Sequence, residues 1–107
     1  MLNGTFYGVG VGPGDPELIT LKAFNLIKNT KNIFVPKADI DSESYAQQIV
    51  KQYLTVDQNI KPIVFPMKND ITTKIAYEET VIKIINLLES GEDVVFLTIG
   101  DPLFYYL

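Results

Sequence analysis

Glycine recurs at every second position in Gly8-Val9-Gly10-Val11-Gly12-Pro13-Gly14, and the pair Asp15-Pro16 follows at once. Few backbones accept that pattern. A strand with glycine at alternate positions has one face without side chains, so another group can approach its backbone closely. Asp15 is a good helix N-cap, and Pro16 suits the first helical position, where no backbone N–H is needed. The stretch therefore reads as the end of a buried strand, a tight turn and a helix start. In open α/β sheets, ligands bind at the carboxyl ends of strands.

The ligand class is narrower than the glycine content implies. The dinucleotide pattern G-x-G-x-x-G fails in each frame: from Gly8 the last glycine would be Pro13, and from Gly10 it would be Asp15. No glycine precedes a lysine, so the phosphate-cradling loop is absent as well. Asp15 at the mouth would also repel a pyrophosphate. The same residues equally suit a strand, turn and helix packed closely together with no ligand.

Along the chain, Thr5 to Val11 reads as a strand and Pro16 to about Lys28 as a helix, with Ile19, Ala23, Leu26 and Ile27 on one face. Asn32 to Val35 is a second strand, stopped by Pro36; a polar loop, Lys37 to Ser42, follows. Ser42 or Ser44 caps the next helix, which carries Ala46, Ile49, Val50, Tyr53 and Leu54. Asn59 to Phe65 is a third strand, and Pro62 places it at an edge. Asn69 or Asp70 begins a long helix to about Ser90, with Ile75, Ile82, Ile85 and Leu88 predicted inward and Gly91 ending it. Asp93 to Ile99, the most apolar strand, belongs at the sheet centre with both faces covered. Repeated strand-then-helix steps predict an α/β fold: an open, mostly parallel sheet with helices on both faces.

Composition removes several chemistries. The 107 residues contain neither cysteine nor histidine, which excludes thiol nucleophiles, disulfides, thiolate–zinc sites and histidine bases within them. No metal site is expected. Nine basic against thirteen acidic residues give a net charge of −4, against the basic face that nucleic acid requires. The first twenty-one residues carry no lysine or arginine, so a signal-peptide n-region is missing. No apolar run approaches the roughly 18 residues of a membrane span. The expectation is a cytoplasmic, soluble domain acting on a small molecule.

Gly8 to Ala23, read as Gly8-Val9-Gly10-Val11-Gly12-Pro13-Gly14-Asp15-Pro16-Glu17-Leu18-Ile19-Thr20-Leu21-Lys22-Ala23, resembles the opening signature of the tetrapyrrole (corrin/porphyrin) methylases. Ile99-Gly100-Asp101-Pro102 resembles their second signature. Phe34-Val35-Pro36-Lys37 and Val64-Phe65-Pro66-Met67 look most like the branch that methylates precorrin-2 at C20. The resemblance runs through the whole chain. It implies a methyltransferase using S-adenosylmethionine on precorrin-2 or its cobalt form in corrinoid synthesis. It places the strand over Asp93–Ile99 beside the first strand and the third strand at an edge. It further implies that residues 1–107 are an N-terminal domain, that a helix, a further strand and a second α/β domain follow, and that the complete protein is a homodimer.

By that resemblance, Pro13, Ile99, Gly100, Asp101 and Phe104 match positions lining the cofactor pocket. Gly12, Gly14 and Asp15 are the candidates for the substrate side, although Asp15 reads first as a helix cap. Asp101 serves equally as a cap for a following helix. No catalytic base is assigned: related uroporphyrinogen methylases have a carboxylate after the second strand, where this chain reads Val35-Pro36-Lys37. Phe104, Tyr105 and Tyr106 also suit core packing against the remainder of the protein. Lys37 and Lys68 either meet substrate carboxylates or are solvated lysines. The alternatives are a methylase of the same family with another target, and a non-catalytic nucleotide-binding α/β module.

Overall fold

The computed structural model describes residues 3–11, 19–37, 44–64 and 71–98. Four strands, Phe6–Gly10 (β1), Asn32–Lys37 (β2), Asn59–Val64 (β3) and Val94–Thr98 (β4), form one sheet in the order β1-β4-β2-β3. All three pairings are parallel. Every residue of β4 is buried, as a central strand's continuous apolar run demands. β3 is at an edge, where Pro62 removes no needed donor.

Three helices connect the strands: Leu21–Asn29 (α1), Tyr45–Val50 (α2, extended by a 3₁₀ turn at Lys51–Tyr53) and Ile71–Glu89 (α3). The steps from β1 to β2 and from β2 to β3 run one way across the sheet, and the step from β3 to β4 runs back. Right-handed crossovers then place α1 and α2 on one face and α3 on the other. The core divides accordingly. Ala23 and Ile27 of α1 and Ala46, Ile49 and Val50 of α2 pack on Val9, Val11, Ile33, Val35, Val95 and Leu97. Ile84 and Leu88 of α3 pack on Phe34, Ile63, Val94 and Phe96. The expected sheet with helices on both faces is what forms.

Element ends follow local chemistry. Ser44 caps α2, its hydroxyl accepting from the Gln47 N–H at 3.2 Å. α3 ends in a Schellman motif: Gly91 has φ +91°, its N–H reaches the Leu88 carbonyl at 3.1 Å, and the Glu92 N–H reaches that of Leu87 at 3.0 Å. The carboxyl end of α1 is closed from a distance, by Gln58, whose amide donates to the carbonyls of Ile27 at 2.6 Å and Thr30 at 2.8 Å.

Three expectations are corrected. α1 begins at Leu21, not near Pro16, because Thr20 is extended and its hydroxyl accepts from the Ala23 N–H at 3.1 Å. Asp15 is therefore not the cap of α1. β2 does not stop before Pro36 but runs to Lys37. Among the described residues its register with β4 runs from Asn32 against Val94 to Phe34 against Phe96, and Pro36 registers with Ile63 of the edge strand β3. On α3, Leu88 faces inward as expected, but Ile75, Ile82 and Ile85 are exposed. The sheet instead takes Ile84 and Leu88, with Tyr77 and Leu87 partly buried beside them.

Candidate functional site

The two motif-bearing loops begin side by side. β1 and β4 register from Phe6 against Val94 to Gly10 against Thr98, so both strands reach the same rim of the sheet. One residue further, the Val11 N–H donates to the Thr98 carbonyl at 2.8 Å. The chain leaves Val11 into Gly12-Pro13-Gly14-Asp15 and leaves Thr98 into Ile99-Gly100-Asp101. Val11, Leu97 and Thr98 are fully buried, so the base of the rim is dry and packed. A reacting group held there would be fixed by strand ends rather than by a long loop. Gly12, Pro13, Gly14, Asp15, Ile99, Gly100, Asp101 and Phe104 themselves lie outside the described residues.

The rim continues to β2. Lys37 is the last residue of that strand and is half-buried. With Ser44, Gln47, Gln48 and Lys51 it lines a cleft of about 240 Å³. Its described lining is polar and includes two ammonium groups, a chemistry that suits an anion. Lys68, the other lysine considered for substrate carboxylates, lies outside the described residues. Among the described residues no group of three His, Cys, Asp or Glu side chains gathers that could hold a metal ion.

The opposite end of the sheet holds a polar cluster to which the sequence reading gave no role. Asn32, buried, donates to the Glu92 carboxylate and to the Asp93 carbonyl, both at 3.3 Å. Its own carbonyl oxygen accepts from Asn59 at 3.4 Å. Asp93 in turn accepts from the Thr5 N–H at 2.8 Å. Asn32 and Asn59 open their strands and Thr5 and Asp93 directly precede theirs, and a polar residue recurring at each strand start was the available signal. A cleft of about 560 Å³, lined by Tyr7, Lys22, Asn25, Thr30 and Asp93 among others, also opens near these strand starts, away from the motif rim. These hydrogen bonds tie the strand ends together.

The family model for tetrapyrrole (corrin/porphyrin) methylases matches residues 5–107. A probable cobalt-precorrin-2 C(20)-methyltransferase of Methanocaldococcus jannaschii is 42% identical over 99 residues, covering 92% of this chain and 42% of that protein. The cobalt-precorrin-2 C(20)-methyltransferase of Salmonella typhimurium is 30% identical over 105 residues, 97% of this chain and 44% of that protein. A uroporphyrinogen-III C-methyltransferase of Methanobacterium ivanovii is 33% identical over 98 residues, 91% of this chain and 41% of that protein. The chain thus spans less than half the length of the relatives it matches. With a match over nearly its whole length, and with the two signature loops springing from adjacent strand ends, the chain belongs to the tetrapyrrole (corrin/porphyrin) methylase family.

Proposed function

We propose that the complete protein methylates C20 of precorrin-2 or cobalt-precorrin-2, with S-adenosylmethionine as donor, and that residues 1–107 form its amino-terminal α/β domain. The observation that carries this reading is the Val11–Thr98 hydrogen bond, which starts the two signature loops from one point on the rim. The names of the Methanocaldococcus and Salmonella relatives supply the substrate class.

When bound, the donor supplies a methyl group already activated on a sulfonium. The nucleophile, an electron-rich meso carbon of a reduced tetrapyrrole, needs little help from acid–base groups. A chain segment without histidine or cysteine is therefore suited to the task. What remains for the protein is to align methyl and carbon and to exclude water, which supplies most of the acceleration in such transfers. Pro13, Ile99, Gly100, Asp101 and Phe104 line the donor side in this proposal, with Asp101 favouring the donor's positive charge. Gly12, Gly14 and Asp15 face the substrate, and bare backbone at the glycines permits close approach. Lys37 and Lys51, on the same rim, attract the acidic arms of the tetrapyrrole. A second domain closes the pocket, and the active form is a cytoplasmic homodimer. Among the described residues no helix is long and apolar enough to cross a membrane.

Incubating the complete protein with S-adenosylmethionine and precorrin-2, metal-free or cobalt-loaded, tests the reading. The expected products are a tetrapyrrole one methyl group heavier and S-adenosylhomocysteine in equal amount. Transfer to uroporphyrinogen III alone would move the protein to another branch of the family. No transfer to any tetrapyrrole, with nucleotides bound instead, would favour the binding-module alternative.

A further inference from the structure

Asn3 is the one asparagine of the chain that is followed by glycine. In such a pair the main-chain nitrogen after the asparagine has no side chain beside it, so it can reach the asparagine's own amide carbon. An unrestrained Asn-Gly pair therefore deamidates readily in water. Asn3 is exposed to that water. Gly4, however, is not unrestrained.

Residues 3–5 are clasped to the turn between α3 and β4. The Asn3 and Gly4 N–H groups both donate to the Leu88 carbonyl, at 3.2 and 2.9 Å, and the Gly91 N–H shares that acceptor at 3.1 Å. The Thr5 N–H donates to the Asp93 carboxylate at 2.8 Å, and the Thr5 carbonyl accepts from the Val94 N–H at 3.0 Å. Gly4 lies so close to the Glu92 carbonyl that an added Cβ would collide with it. The nitrogen that deamidation requires is thus already engaged as a donor, in a slot that fits only glycine. It becomes a nucleophile only after local opening of the clasp.

We propose that Asn3 is a modification site whose deamidation is gated by this clasp. Once residues 3–5 lift off, the Gly4 nitrogen attacks the side-chain carbonyl carbon of Asn3. A nitrogen–carbon bond forms, the bond to the side-chain nitrogen breaks, and ammonia leaves with the proton from Gly4. Water then opens the resulting succinimide at either carbonyl. The products are aspartate and, where the side-chain carbon has been taken into the main chain, isoaspartate. Both fit the clasp less well than asparagine does. Each sets a new carboxylate beside the last carbonyls of α3, where the helix dipole is negative. Isoaspartate also lengthens the backbone before Gly4, which then misses its slot against Glu92. Reclosure does not undo the reaction, so acid at position 3 accumulates with the time the clasp spends open. This inference concerns the chemistry of the chain itself and stands apart from the choice of substrate.

The complete protein, incubated at mildly alkaline pH either folded or in denaturing guanidinium, tests it by mass spectrometry of the peptide carrying residues 3 and 4. Acid at position 3 is expected in both, forming more slowly in the folded protein by about ten-fold or more, as the loss of one or two hydrogen bonds before reaction implies. Asp93→Ala, which frees the Thr5 N–H, should raise the folded-state rate and leave the rate in guanidinium unchanged. Equal rates in the folded and unfolded protein, or a folded-state rate indifferent to Asp93→Ala, would overturn the gating. No acid at position 3 even in guanidinium would overturn the site. Hydrogen exchange in the wild-type protein keeps the inference testable if Asp93→Ala prevents folding. Slow exchange of the Gly4 N–H is expected, and exchange as fast as in a free peptide would overturn the clasp.

Discussion

An aspartate three positions after a fully buried strand has two ordinary uses, capping a helix and holding a cation, and a substitution at Asp101 separates them cleanly. Asn keeps the size and capping ability of Asp but not its charge. If Asp101 only caps, Asp101→Asn in the complete protein costs about a few tenths of a kcal/mol of stability and leaves donor affinity intact. As a charge partner of S-adenosylmethionine, it loses about 1.5–3 kcal/mol of binding, roughly ten- to a hundred-fold. The proposal predicts the second outcome by calorimetric titration, with the melting temperature nearly unchanged. Wild-type affinity would return Asp101 to capping. Gly4 makes a purely structural prediction. A Cβ there would collide with the Glu92 carbonyl, so Gly4→Ala should destabilise by about 1–3 kcal/mol in denaturant melts, without touching the motif rim. A neutral result would mean that the segment before β1 is free to shift.

At the scale of elements, two substitutions measure what holds the helices in place. Leu88→Ala removes a buried anchor of α3 and should cost about 2–5 kcal/mol. Gln58→Ala strips two carbonyls near the end of α1 of their donor and should cost about 1–3 kcal/mol. Urea denaturation monitored by circular dichroism checks both, and stability within 0.5 kcal/mol of wild type, about the surface-substitution range, would contradict either assignment. These elements also mark where the sequence was readable. The apolar run Val94–Leu97 announced a central strand, Pro62 an edge and Gly91 a helix end, because each rests on one residue's backbone or burial preference. The strand order and the site residues came instead from family resemblance. The inward face of α3 was misread for a physical reason. Its isoleucines occupy two surfaces about 120° apart, and periodicity alone cannot say which one meets the sheet. The role of Gln58 was illegible because its partners lie 31 and 28 residues away. The start of α1 was misread because the capping signal of Asp15-Pro16 hid that of Thr20, and only the backbone shows which residue precedes the first turn.

For the whole molecule, the sheet order matters more than any single side chain. Interleaving β4 between β1 and β2 brings residues 11 and 98 into hydrogen-bond contact, although 87 positions separate them in the chain. In the proposal that step builds one wall of a pocket and a second domain builds the other. Residues 1–107 alone should therefore fold yet bind S-adenosylmethionine far more weakly than the complete protein and transfer no methyl group. Turnover by the 107 residues near the complete protein's rate would remove the need for a second wall. The most direct test of the central proposal is where the methyl group goes. Precorrin-2 or its cobalt form, treated with the complete protein and donor carrying a ¹³C-labelled methyl, should yield a product whose label is located at C20 by NMR. A label at any other carbon, or an unlabelled tetrapyrrole, would contradict the account.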